Sequence, residues 1–165
     1  SLLNRHAFYT APWPPTLELI VNRYFDALVT SVSGFVTPVH EAIREALVNA
    51  LVHADYRGQG GVVIDRYRSR IEMTNPGTLL VSYDQLLQGA VSECRNKSLQ
   101  VMFQMMGAGD KAGSGFDKIR QGWKSQHWRQ PYLFETTGPD RVNLDLPMVS
   151  LLPPESLDRL QALFG

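Results

Sequence analysis

Apolar positions recur along this chain at the two spacings that separate helices from strands. Between Thr16 and Thr30, Leu17, Ile20, Val21, Tyr24, Phe25 and Leu28 share one helical face. Ahead of them, Ala11-Pro12-Trp13-Pro14-Pro15 predicts a rigid lead-in, because proline lacks the backbone donor and restricts the residue before it. Gly34 breaks the pattern, Pro38 suits a first helical turn, and Val39 to Ala54 predicts a second helix. After the turn cluster Gly58-Gln59-Gly60-Gly61, the runs Val62-Val63-Ile64 and Arg70-Ile71-Glu72-Met73 predict an antiparallel strand pair. Ser82 is placed to cap a short helix through Gln88, and Ser98 another through Met106. The glycine-rich stretch from Gly107 to Gly115 feeds a helix from Phe116 to about Lys124. Tyr132 to Glu135 and Val142 to Leu146 predict late strands joined by a turn at Gly138-Pro139-Asp140. Pro153-Pro154 then sets off a final amphipathic helix, Glu155 to Phe164.

This order of helices, strands, helices and strands favours α+β architecture over a regular βαβ alternation. The expected arrangement is a two-layer sandwich, with helices on one face of a mixed, mainly antiparallel sheet. Three regions are expected: an N-terminal segment with its helix over 1–37, a central domain over 38–150, and a C-terminal helix over 151–165. The last opens a linker or a winged-helix region, because the abrupt beginning at Ser1 and end at Gly165 suggest a piece of a longer polypeptide.

Composition narrows the function classes. Sixteen Lys and Arg balance sixteen Asp and Glu, so the chain lacks the positive field of a free-standing nucleic-acid binder, and DNA contact is expected only through other domains. No apolar run is long enough to cross a bilayer, so no membrane partner is expected. Cys94 has no partner for a disulfide and no charged-then-apolar leader opens the chain, which together suggest a cytoplasmic setting.

The second helix carries the candidate chemistry. Glu45, Asn49 and His53 lie four residues apart and stack along one side, while Ile43, Leu47, Ala50, Leu51 and Ala54 occupy the opposite side. Ala46, Val48 and Val52 flank the polar row, so it is expected to be enclosed and to need partners. Two readings follow. The row either bonds to neighbouring loops within the core, or it forms a nucleotide-phosphate site, with a carboxylate as general base and an amide oxygen on Mg²⁺.

Two glycine-bearing segments bear on that choice. In Thr74-Asn75-Pro76-Gly77, Gly77 can take positive φ and let a ligand approach the backbone, although an ordinary β-turn accounts for the same residues. Gly113-Ser114-Gly115 directly precedes a helix, where free N–H groups and the helix dipole suit a phosphate; a tight loop capped by Ser114 is the alternative. The phosphate-loop pattern G-x-x-x-x-G-K-[ST] is absent, so no helicase motor of that type is expected. His6, His40, His53 and His127 do not cluster as a zinc site, and no G-x-S-x-G elbow occurs.

Taken in order, Arg44 to Tyr56, Ile71 to Gly77, Arg95-Asn96 and Gly113 to Phe116 resemble the successive motifs of the RecG-related transcriptional regulators. That family is a divergent branch of the gyrase, histidine-kinase and MutL (GHKL, Bergerat-fold) ATPases, and the resemblance spans residues 38 to 125. It implies an ATP site with Mg²⁺: Glu45 on the water-activating position, Asn49 on the metal-ligating position, and His53 on the polar residue that closes the same helix. It also matches Asn75-Pro76-Gly77 to the end of the first glycine box and Gly113-Ser114-Gly115 to the second, with a lid-like stretch between them. The aspartate that reads adenine in that superfamily has no counterpart in Met73-Thr74-Asn75, where Asn75 substitutes only with a register shift of two residues. Ala54 and Lys97 also depart from the pattern, away from the phosphate side. The expected function is an ATP-binding module with Mg²⁺ that regulates an attached DNA-associated domain, with hydrolysis left open. The alternative is a degenerate fold that serves as a regulatory or dimerisation domain without nucleotide.

Overall fold

The computed structural model describes residues 2–8, 38–88, 93–105, 107 and 115–153, with positions 155–156, 159 and 162–163 beyond them. The elements in chain order are β1 (Leu2–Phe8), α1 (Pro38–His53), β2 (Val62–Tyr67), β3 (Arg70–Pro76), α2 (Tyr83–Gln88), α3 (Lys97–Met105), α4 (Gly115–Ser125), β4 (Tyr132–Thr136) and β5 (Arg141–Pro147). The strands form one five-stranded sheet in the order β1-β2-β3-β5-β4. Every pairing among the described residues is antiparallel, so the parallel component implied by a mixed sheet is not found there. The α+β class and the helix-on-sheet layering are as expected.

Period-two alternation sorts the two sheet faces. Ile64 pairs with Met73, Met73 with Leu144 and Leu144 with Leu133, a row that packs under the helices. The next row on the opposite face reads Asp65, Glu72, Asp145 and Tyr132. Polar groups there bond one another: Arg70 Nε donates to Glu72 Oε1 at 2.6 Å and the Tyr132 hydroxyl to Asp145 Oδ2 at 2.7 Å. That last bond, first, and burial raise the Tyr132 pKa.

Helix α1 packs against both β3 and α4 and is apolar around most of its surface, with Ala42, Ile43, Ala46 and Leu47 all essentially inaccessible. It approaches α4 most closely at Gly122, where a Cβ would stand 2.5 Å from the Ala42 Cβ and 2.7 Å from the Pro38 carbonyl oxygen. Further along α4, the fully buried Trp123 donates its indole N–H to the Pro147 carbonyl at 2.7 Å, which ties the helix layer to the end of β5.

The element boundaries show where short-range reading stopped. β2 runs on to Tyr67 and β3 to Pro76, past the apolar runs that marked them, because the strands continue through residues whose side chains alternate onto the polar face. β1 pairs antiparallel with β2 and was not expected; Asn4, Arg5 and His6 interrupt any apolar alternation. Ser82 does cap α2: its hydroxyl accepts from Gln85 N–H at 3.2 Å, while Gln85 Oε1 accepts from Ser82 N–H at 2.9 Å, a reciprocal capping box. Ser98 does not cap α3. The cap is Asn96, whose carbonyl accepts from Gln100 N–H at 2.9 Å. The expected helix over 16–30 and most of the final one over 155–164 lie outside the described residues.

Candidate functional site

Three elements meet at the C-terminal end of α1. Asn96 Nδ2 donates to the Val52 and Ala54 carbonyls at 2.9 and 2.8 Å, and its own N–H bonds Val52 O at 3.1 Å. These bonds satisfy carbonyls that a helix end leaves without partners. Asp55 N–H donates to the Pro76 carbonyl at 2.8 Å, bringing the last residue of β3 against the helix end. The Tyr56 hydroxyl reaches back to Leu51 O at 2.9 Å, and burial pushes its pKa up to about 12. Arg95 Nη2 donates to the Thr78 carbonyl at 2.8 Å, so the segment after β3 is tied to the approach to α3. His53 and Asn75 are thereby held near one another by backbone contacts on either side of them.

Between α1, the inner sheet face, the 78–81 segment and the start of α4 lies a cavity of about 130 Å³. That is on the order of ten times the space one water needs. Glu45, Asn49 and His53 all line it, as the four-residue spacing along α1 requires, and Asn75 and Gly115 line it from the sheet and from α4. The remaining walls are largely apolar and include Met73, Leu79, Leu86, Phe116, Leu133 and Leu144. Polar groups at one side of an apolar cleft are the arrangement by which small-molecule sites orient their ligands.

The polar groups differ in how free they are. Glu45 is only 6% exposed. Its Oε1 lies 2.5 Å, and Asn49 Nδ2 2.8 Å, from the point where a Gly115 Cβ would sit. The helix start therefore approaches the row closely because residue 115 has no side chain. Asn49 is half-buried and Asn75 is 7% exposed, and no described residue hydrogen-bonds either carboxamide. His53 is desolvated by burial and lies in the field of Arg95; these lower its pKa, against a hydrogen bond to the Glu93 backbone that raises it. The imidazole is therefore neutral at pH 7.

The other sequence-derived positions divide. Gly77 has the anticipated positive φ, at 104°, but it faces Asp55 and Arg95 rather than the cavity: a Cβ there would stand 3.1 Å from the Asp55 Cβ and 3.2 Å from Arg95 Nε. Its N–H donates to the Asp140 carbonyl at 3.0 Å. Gly113 and Ser114 lie outside the described residues. Sequence reasoning did not single out Glu93 and Gln100, which also line the cavity. Gln100 shows no signal in its spacing; Glu93 lies two residues from the Arg95-Asn96 motif, which was noticed only for its own residues.

With this geometry in view, the comparisons with known proteins are specific. The family model described as "Putative ATP-dependent DNA helicase recG C-terminal" matches residues 59–144, just over half of the chain. The chain belongs to this family. The match takes in Asn75, Gly77 and the Gly113 to Gly115 segment and begins after α1, so it does not reach Glu45, Asn49 or His53. Among solved structures, the DIP2311 protein from Corynebacterium diphtheriae superposes with a TM-score of 0.64 at 23% identity, over 77% of this chain. At that identity the likeness shows the fold, and the chain spans 23% of the length of that protein. No curated protein matches the chain. Membership carries an ATPase-like domain; among the described residues, no helix is long and apolar enough to cross a membrane.

Proposed function

We propose that this RecG-related domain binds ATP with Mg²⁺ and acts as the regulatory module of a longer transcriptional regulator. One observation carries the reading: the Glu45 carboxylate and the carboxamides of Asn49 and Asn75, which no described residue hydrogen-bonds, share a single cavity with the glycine that begins α4. In this reading the phosphates lie at the N-terminus of α4, where backbone N–H groups and the helix dipole favour anions. The lack of a side chain at Gly115 gives them access to the α1 row. Asn49 would hold Mg²⁺ through its amide oxygen, and the ion would supply charge neutralisation at the phosphates. The residues present suit that ion: Mg²⁺ prefers oxygen donors and is usually held by few protein ligands with phosphate and water completing its shell, and Glu45 and Asn49 offer side-chain oxygens on the cavity wall. Glu45 accepts the proton of the attacking water, and His53, kept neutral, hydrogen-bonds without adding charge. DNA contact falls to other parts of the longer protein, in keeping with the balanced charge of this chain, and the setting is cytoplasmic. Binding and hydrolysis separate experimentally. Glu45→Gln should keep the rise in melting temperature that ATP and Mg²⁺ give by mass action, and should lose phosphate release. A variant that hydrolyses ATP at the original rate would remove Glu45 from the role.

A second reading, a dimerisation module without nucleotide, draws on the exposed Tyr132 and Phe134, which stack with centroids 5.8 Å apart on the edge strand β4. It predicts a dimer by light scattering that Phe134→Lys dissociates, and no response of melting temperature to ATP.

A further inference from the structure

We propose that the surface where the β2–β3 turn, the end of α4 and the segment after β5 meet is a docking site for a partner-protein segment that alternates acidic with leucine or phenylalanine residues. None of the residues that form it lines the cavity, so it stands apart from the nucleotide reading. Backbone bonds bring the three segments together. Met148 N–H donates to the Ser69 carbonyl at 2.8 Å, Arg129 N–H to Val149 O at 2.9 Å and Leu151 N–H to His127 O at 2.9 Å. Between the last two bonds Trp128 bridges Ser150, and its ring packs on the core, edge-on to Trp123. Alternation about that bridge turns Arg129, Val149 and Leu151 outward. Val149, Leu151 and Leu152 are 37%, 57% and 41% exposed there, and Arg68, Lys124 and Arg129 on the adjoining segments are exposed as well.

Charge selects the partner. Acids and bases balance over the whole chain, yet no acidic residue occurs from Arg66 to Ile71, from Lys118 to Phe134 or from Leu146 to Pro154. The flanking acids Glu72 and Asp145 are engaged by Arg70 and Tyr132. No described residue hydrogen-bonds or ion-pairs with the side chains of Arg68, Lys124 or Arg129. Aliphatic side chains set among such cations complement an acidic-apolar segment, whereas a nucleic-acid backbone would leave Val149, Leu151 and Leu152 without partners. His127 is a second sign. It follows the end of α4, where its N–H donates to Lys124 O at 3.0 Å and Trp128 N–H to Trp123 O at 3.3 Å, the bond pattern of a Schellman motif. Its φ of 55° is the one positive value at a non-glycine among the described residues, and the residue is exposed. Glycine suits that conformation better, so the imidazole serves the surface and not the helix end.

The test is fluorescence anisotropy with a labelled peptide of about twelve residues that alternates Asp or Glu with Leu or Phe, titrated with the whole chain. Its comparisons are the same peptide with lysine for every acid, an oligoglutamate of equal length and a labelled DNA duplex. The acidic-apolar peptide is expected to bind in the micromolar range and the other three at least about tenfold more weakly. Arg129→Glu and Leu151→Ser should each weaken it by about fivefold or more, and Lys97→Glu, on α3, should leave it within about twofold. His127→Gly should weaken the peptide while raising the melting temperature, a split that a loss of fold cannot produce. Absence of binding at about 1 mM chain would overturn the proposal. So would equal affinity for the oligoglutamate, the lysine peptide or the duplex, or affinities that Arg129→Glu and Leu151→Ser leave unchanged.

Discussion

Gly122→Ala tests the layer contact on which the whole site rests. A Cβ at this position would stand 2.5 Å from the Ala42 Cβ and 2.7 Å from the Pro38 carbonyl oxygen. Neither neighbour can swing away, since one is the only side-chain carbon of a fully buried alanine and the other is backbone of the first turn of α1. The substitution raises helix propensity, a gain of about 1 kcal/mol in a helix interior. Against it stands overpacking, typically about 1–3 kcal/mol and more where backbone must move. Separation of α1 from α4 should win, for a net loss of roughly 1–2 kcal/mol. For a chain of this size that is a fall in melting temperature of roughly 2–8 °C. Urea denaturation should show the midpoint lowered with the slope unchanged. A variant as stable as the parent, or more so, would mean that α4 does not lie against α1 at this distance, and the cavity geometry would have to be redrawn.

Three further outcomes follow from the same contacts. Gly115→Ala is expected to behave differently from Gly122→Ala: its Cβ meets the movable ends of Glu45 and Asn49, so stability should change by less than about 1 kcal/mol while ATP affinity falls by tenfold or more. Asn96→Ala removes two hydrogen bonds to the end carbonyls of α1 and should cost about 1–3 kcal/mol by urea denaturation; a change within about 0.5 kcal/mol would show the α1 end to be held by other contacts. His53 has a folded-state pKa below its ordinary 6.5, so the unfolded chain takes up a proton that the folded chain resists. Its contribution is complete above about pH 6.5 and falls as the pH drops through that value toward the folded pKa. The melting temperature of the parent relative to His53→Asn should therefore decline between pH 7.5 and 5.5, and a difference that stays constant would contradict the burial of the ring.

How much of this was legible beforehand depended on how local the cause was. The Glu45, Asn49 and His53 row follows from helical spacing alone, and the structure places all three on one cavity wall. The Ser82 cap was equally readable, since both partners lie within three residues of each other. Asn96 was visible only as a motif residue, because the carbonyls it bonds, Val52 in α1 and Ala54 just past its end, lie 44 and 42 positions away. Nor did its sequence reveal β1: with Asn4, Arg5 and His6 inside it, the strand is specified by pairing with β2 rather than by its own pattern. Gly77 illustrates the opposite error. Its positive φ was foreseen, but conformational freedom says nothing about which way the turn faces, and Asp55 and Arg95 occupy that side. The resemblance left β3 without its aspartate; Asn75, two residues on from the inward-facing Met73, shares that face and lines the cavity, as alternation along the strand requires.

The most direct measurement of the central claim is a calorimetric titration of the chain with ATP and Mg²⁺, run beside Asn49→Ala. The account predicts saturable one-to-one binding that requires Mg²⁺ and weakens by tenfold or more in the variant, whose melting temperature should stay near that of the parent because no described residue depends on the Asn49 amide. No heat of binding at millimolar ATP, or equal affinity for parent and Asn49→Ala, would contradict it.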